Sequence, residues 1–511
     1  MLLNEQNLTT SFSGHSSLAQ KMPIILLLAV IACVSVISGI LAAFGNVIVL
    51  VALLALYGIF FILVTPVKWI VWIIFWMVFV VTGLTAYFLG FSQLQWLSVL
   101  ISAALFLPVL FHLLQYRNNI ALTTISSDLF LPLVFVSFLI CSTLLDKPQL
   151  SDFVYSSRHY FLMWPLMLVF MFGVVQYEVI EKLWKMLLFV AVLQLPMAIY
   201  QYLFVSKENK RLSPWDAVVG TFNGRIEGGG DSAAMAIMLL IVILTAIALW
   251  RGNYLKKHWM ALVVVAGVGT IALAEVKAAV LLLPIVIGLY YRKELLRRPM
   301  ESLVVMFGAV VLVIGILAAY QQIHYSSVQR SVYSKVQFNS TYDRIMESIN
   351  PEAESSGGRQ IGRVNHLITW WDNNILSGDI QHSLLGYGMG ATHSSKVGAG
   401  EIASRFYHQV TNTTTVILLW ETGILGHTLF VLILLLAART SDLMSQNENI
   451  PEIHRIFLRV GAIGLLLLTI TLPYKNFHLY SNPIQFLMMM MLGQAAYWSR
   501  YVKKLCGNTI K

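Results

Sequence analysis

Charge is what this chain has least of. Asp, Glu, Lys and Arg make up 11% of its 511 residues, against 58% hydrophobic residues, a balance that excludes an ordinary water-soluble globular protein. Cysteine is nearly absent. Cys33 and Cys141 fall inside apolar stretches and Cys506 lies near the C-terminus, so neither a disulfide framework nor a metal cluster is indicated. The sequence also lacks metal-ligand spacing, a phosphate-cradling nucleotide loop, an obvious internal repeat, and a basic stripe interleaved with aromatics. No metal and no cofactor are expected. The net charge of +10 is read as the loop lysines and arginines of a membrane protein, and no nucleic-acid partner is expected.

Apolar runs, by contrast, are abundant. A hydrocarbon core needs roughly 20 apolar residues per helix, and about fourteen such runs occur. They cover 23–43, 46–66, 68–90, 95–115, 128–146, 160–180, 183–205, 231–250, 258–275, 277–291, 302–322, 413–438, 456–475 and 482–499. Lipid offers free backbone amides no partner, so these runs must be helices. The first is too long for a signal-peptide core and no small-residue cleavage site follows it, so it is expected to remain as a span. The expected fold class is all-α, a polytopic integral membrane protein of about 14 transmembrane helices. Its divisions are a cytoplasmic tail 1–22, helices 1–11 over 23–322, one long loop 323–412, helices 12–14 over 413–499, and a cytoplasmic tail 500–511.

Loops rich in Lys and Arg set the orientation. The clearest are 251–257 and 292–298, with weaker support from Lys68, Arg117, Lys182, Lys185, 439–459 and 500–504. Placing these inside fits strict alternation, with both termini cytoplasmic. Segment 206–230 departs from the rule, because it carries Lys207, Lys210 and Arg211 yet falls outside. That segment, the hairpin Glu275-Val276-Lys277 and the loop 323–412 then share the outer face. They bring Arg225, Lys277, Arg330, Arg344, Arg359 and Arg363 toward one side of the bilayer. An anionic group is the natural partner of such cations, and phosphate suits an arginine fork; solvation or pairing with lipid headgroups is the alternative.

Four stretches carry candidate chemistry. Gly220-Thr221-Phe222-Asn223-Gly224-Arg225 continues through three glycines to Asp231 and a span, offering backbone amides to an anion or a flexible turn. Glu275 and Lys277 interrupt apolar sequence; they either pair, face a wet cavity, or snorkel to water from an interfacial hairpin. In the long loop, Arg359, Arg363 and His366 would share a helical face. Trp370 and Trp371 there either seat a helix at the membrane surface or stack on a sugar, and Gly386, Gly388 and Gly390 mark a turn. Finally, His408 is a candidate general base or a structural histidine. Asn412 leads into a span holding Glu421, which either reaches a cavity or pins a neighbouring helix.

These motifs, in order, resemble the O-antigen polymerase and ligase superfamily. The resemblance rests on Gly220-Thr221-Phe222 with Arg225, Lys277 at the hairpin, Arg359 upstream of Trp370, the Gly386/Gly388/Gly390 cluster, and Asn412-Thr413 before Glu421-x-Gly423-x-x-Gly426. It covers roughly 215–430. Two departures stand out. Val276-Lys277 replaces a usual Ser-Arg pair, and Asn412-Thr413 replaces a frequent His-Asn pair, with His408 one helical turn earlier. The resemblance implies a GT-C-like, metal-independent membrane glycosyltransferase with its loop and active face periplasmic, in a bacterial inner membrane. It would polymerise undecaprenyl-pyrophosphate-linked repeat units, which serve as donor and acceptor, into O-antigen or exopolysaccharide. A chain-length regulator and a flippase are the implied partners besides the lipid bilayer. In that reading Arg225, Lys277, Arg359 and Arg363 bind pyrophosphate, His408 or Glu421 acts as base, and Trp370, Gly388 and Asn412 belong to the loop over the acceptor. The alternatives are ligase-type transfer of finished glycan to lipid A core or protein, and a transporter or flippase of lipid-linked sugars.

Overall fold

The computed structural model describes residues 65–115, 127–145, 150–206, 217–297, 299–320, 363–393, 399–406, 410 and 412–508, with five isolated residues before 65. The chain divides into two compact units, Met1–Thr65 and Pro66–Lys511, and the elements below belong to the second. All of them are helical, with no strand among the described residues. The expected spans 23–43 and 46–66, and the first part of the long loop, lie outside the described residues.

The apolar runs become α1 (Val67–Leu89), α2 (Leu94–Gln115) and α3 (Ser127–Leu145). After α4 (Leu150–Tyr160) and α5 (Trp164–Met171) come α6 (Tyr177–Val205), α7 (Ser232–Arg251), α8 (Lys257–Leu273), α9 (Lys277–Arg297) and α10 (Pro299–Tyr320). Six described helices are long and apolar enough to cross a membrane: α1, α2, α6, α7, and two near the C-terminus, α14 (Thr414–Met444) and α15 (Glu452–Ile470). Phe130–Leu145 and α8 are shorter apolar helices. Many large apolar side chains remain outward-facing, among them Phe88, Leu100, Phe111, Val265 and Phe307. Lipid, unlike water, imposes no penalty on such a surface. The protein is an all-α, membrane-embedded chain.

One expected span is broken. Over 160–180 the chain is not a single helix: a turn follows Tyr160, α5 lasts only to Met171, and Gly173 has a positive φ of 66°. Pro165 starts α5, where the missing amide costs nothing. The break leaves Arg158, His159 and Tyr160 at the end of a separate helix, turned into the protein.

At the centre stands α7, with 89% of its most apolar window buried. It is apolar all round, as a helix enclosed by other helices must be, and packs on α6, α8, α9 and α15. After the short α16 (Phe477–Tyr480), the last helix, α17 (Asn482–Asn508), packs on α5 and α14. One end of the bundle is fastened by ion pairs. Arg251 and Arg459 meet Glu294 at 3.3 and 3.6 Å, and Arg292 meets Asp442 at 2.6 Å. The opposite end holds the turns that build the site.

The long loop is folded where it is described. It forms α11 (Arg363–Trp371), α12 (Ile380–Leu385) and α13 (Glu401–Arg405). Trp370, Tyr387, Ile402 and Val410 share an apolar cluster with Val416, Leu419 and Trp420 of α14. The loop is therefore held down by a hydrophobic core of its own.

Candidate functional site

Two glutamines of α6 position the first element of the site. Gln194 donates to Thr221 Oγ1 and accepts from its amide, both at 2.7 Å. Gln201 accepts from the amides of Val219 and Gly220 at 2.9 and 2.8 Å and donates back to the Gly220 carbonyl. Thr221 Oγ1 in turn donates to the Phe79 carbonyl, 2.6 Å away, in the π-helical turn Met77–Val81 of α1. Such turns loosen the regular ladder and free backbone groups for other partners. Residues 217–222 are buried, not a mobile turn. They project a hairpin, closed by a bridge between Gly224 and Gly230, with Arg225 exposed beside it. This hairpin and Ala86, Tyr87, Phe88, Gly90 and Ser92 line an open cleft of about 650 Å³.

The other expected anion-binding residues meet separate partners. Lys277 Nζ lies 3.4 Å from Glu275 Oε1, with side-chain exposures of 14% and 1%, so this hairpin holds a sequestered ion pair and its carboxylate does not snorkel to water. Glu275 adopts a left-handed backbone, φ 51°, a conformation uncommon for non-glycine residues. The Arg363 guanidinium sits 4.5 Å over the Tyr474 ring. Arg359 and His408 lie outside the described residues.

Glu421 is enclosed. Its carboxylate accepts from Tyr160 Oη at 2.7 Å, from Thr392 Oγ1 at 2.6 Å and from the Thr392 amide at 3.2 Å. It thus pins the loop and α4 to α14. Two residues on, Gly423 breaks α14 with φ 62° and ψ −169°, a region essentially restricted to glycine. The backbone of Leu384 and Leu385 fills the space a side chain there would need, and Gly386 presses in the same way on Glu421–Gly423. Beside Gly388, the Met389 amide donates to Thr143 Oγ1 at 3.0 Å. Trp370 is 4% exposed and donates to the Leu419 carbonyl, whereas Trp371 is 51% exposed. The Asn412 amide meets His366 Nε2 at 2.8 Å.

A second group of residues, absent from the expected set, gathers beneath this loop. Arg158, on α4, is buried, donates to Gln95 Oε1 at 2.7 Å and lies 4.9 Å from the Trp96 ring. His159 beside it packs 4.0 Å from the Tyr480 ring and 6.4 Å from that of His393. Burial, with Arg158 and His393 nearby, holds His159 well below the usual imidazole range, in its neutral form. Asp231 ends the glycine hairpin. Burial pushes its carboxyl up to about 6, against the opposing pull of Ser481, Lys475 and Arg158. Lys475 stands on the turn after α15, and that turn is fixed by Thr414, whose amide and hydroxyl both donate to the Lys475 carbonyl. His478 also braces it, 2.8 Å from Thr414 Oγ1 and 2.8 Å from the Leu468 carbonyl, its imidazole lowered to about 3 by burial.

The signal for these residues was present in the alternation of spans. That scheme puts 147–159 and 476–481 on the same face as the long loop, so Arg158 is a further cation on a face where cations are uncommon, and Lys475 closes the span 456–475 at that face. Asp231 stands in the sequence only as the end of the glycine-rich stretch before a span. Arg158 and Lys475 both act electrostatically on Asp231, so this end of the bundle carries cationic groups that suit an anion. Among the described residues, no group of three or more His, Cys, Asp and Glu side chains is placed to hold a metal ion. Comparison with known proteins found no matching family model and no matching curated protein.

Proposed function

We propose that this chain is a membrane glycosyltransferase that polymerises polyprenyl-pyrophosphate-linked oligosaccharide repeats at the periplasmic face of a bacterial inner membrane. In this reading the chain crosses the bilayer about fourteen times. The observation that carries the reading is the buried Arg158 at the end of α4, which, with Lys475 on the turn after α15, acts electrostatically on Asp231 at one end of a lipid-facing bundle. Departure of a lipid diphosphate concentrates negative charge, and fixed cations stabilise it as it develops. Arg225, in its open cleft, and Arg363, on Tyr474, extend this positive rim; Arg359 joins them in the sequence-based scheme. The loop excludes competing water from the sugar.

The test is transfer by the full-length protein in lipid nanodiscs, supplied with a polyprenyl-diphosphate-linked repeat unit. Arg158→Ala and Lys475→Ala are expected to lower the rate by about 100-fold or more with monodisperse, folded protein. Unchanged turnover in both would remove the proposed site. Growth of a ladder of products identifies a polymerase, and single transfer of a preformed chain to lipid A core or protein identifies a ligase. A transporter reading draws on Glu421, an ionisable group inside a span. Its carboxylate is occupied by three donors from α4 and the loop, which favours a structural pin over a moving charge.

A further inference from the structure

A groove of about 320 Å³ runs between α3, α5, α14 and α17. It exists because side chains on its floor are short where the helices meet. Ala495 and Ala496 of α17 lie there, beside the buried Met167 of α5 and Ile433 of α14. Along α14, Ile433, Ala437 and Thr440 recur at helical spacing and line it as one stripe. Phe130, Leu436 and Leu443 are exposed at its edges. The groove therefore opens on the apolar surface, where lipid chains rather than water surround the protein. Its volume is at the lower end of the range for small-molecule sites, about 300–1,000 Å³. An acyl chain is the ligand that such an apolar, open-sided groove can take up from its surroundings.

One part of the groove is polar. Arg439 and Thr440 both line it, within a turn of Asp442, whose carboxylate meets Arg292. Charged side chains gather at this level of the bundle, as they do at a headgroup boundary. Arg251, Arg292 and Arg459 are paired there with carboxylates. Arg439 differs from them. It is exposed, and neither its side chain nor that of Thr440 makes a hydrogen bond or ion pair among the described residues. No Asp or Glu is among the described residues that line the groove. A zwitterionic headgroup would leave its ammonium without a carboxylate here, whereas an anionic one is matched by the guanidinium. We propose that this groove binds an anionic glycerophospholipid from the leaflet at this end of the bundle. One acyl chain lies between the helices, and the phosphate accepts hydrogen bonds from Arg439 and Thr440. The site is at the other end of the bundle from Arg158 and Glu421, and it does not depend on the glycosyl-transfer reading.

The experiment titrates the full-length protein in detergent with phosphatidylglycerol or phosphatidylcholine of identical acyl chains. Binding is read by native mass spectrometry and by thermal melting. Phosphatidylglycerol is expected to bind about fivefold more tightly, the effect of one interfacial arginine on an anionic lipid. It should also raise the melting temperature as it saturates the site. Arg439→Gln should abolish the preference, and Arg439→Lys should retain most of it. Ala437→Leu, at the half-buried edge of the groove, should weaken both lipids by filling the space for the chain. An unchanged preference in Arg439→Gln, or unchanged binding in Ala437→Leu, overturns the proposal. Equal binding of the two lipids by wild type makes the groove ordinary lipid-facing surface and also overturns it. So does a wild type that retains neither lipid, the result expected if another segment of the chain fills the groove. Should Ala437→Leu fail to fold, Arg439→Gln, a change at an exposed side chain, decides alone.

Discussion

At the scale of the residue, Glu421 and Gly423 show how a carboxylate and a missing side chain hold a loop on a membrane helix. The Glu421 carboxylate satisfies Tyr160 and Thr392 at once. Glu421→Ala strands these buried donors, each at about 1–3 kcal/mol, and should lower the melting temperature in detergent and expose 363–413 to protease. Glu421→Gln keeps an acceptor for Thr392 and should lose less; equal losses in the two variants would show that the carboxylate is not the pin. Gly423→Ala meets the Leu384 backbone and a backbone region closed to alanine, at a strain of about 1–3 kcal/mol before the clash is counted. The same proteolysis assay checks it, and an unchanged cleavage pattern would contradict the docked geometry.

Among the elements, the glycine hairpin depends on α6. Gln194 and Gln201 lie seven positions apart, close to two helical turns, and so face the same way. Both reach the 217–222 segment. Replacing both by Leu removes the partners of three buried amides, those of Val219, Gly220 and Thr221, while keeping a side chain of similar length. The segment should come loose. A cysteine at Val218, fully buried in the wild type, should then react rapidly with maleimide, and equally slow labelling in both backgrounds would count against this anchoring. The tryptophan pair in α11 also separates by element: Trp370 belongs to the loop's core and Trp371 to its surface. Trp370→Ala should therefore cost about 3–5 kcal/mol by thermal melting, against less than about 0.5 kcal/mol for Trp371→Ala.

For the whole molecule, the two ends of the bundle differ in kind. One carries paired surface charges, Arg251 and Arg459 with Glu294 and Arg292 with Asp442. The other carries the buried Arg158 with the partly buried Asp231 and Lys475. Of single cysteines at Gly229 and Asn253, in a background with Cys33, Cys141 and Cys506 replaced by Ser, the first should react with an impermeant maleimide in intact cells and the second only after permeabilisation. The same accessibility at both positions would place both ends in one compartment and remove the membrane-spanning arrangement of α7.

Helical class and six of the expected spans were readable because the length of an apolar run is a local property, and lipid permits such a run only one hydrogen-bonded form. Local composition misled at 160–180, where apolar sequence continues through helix breaks before Pro165 and at Gly173. Glu275 and Lys277 were legible as charges in apolar sequence, though only the fold showed them paired with each other. The site itself was not legible. Arg158, Asp231 and Lys475 come from turns far apart in the chain, and no motif joins them. Their approach follows from tertiary packing: α7 packs on α15, and the short helix Phe477–Tyr480 that follows Lys475 packs on α4, so charges remote in sequence come to one end of the bundle.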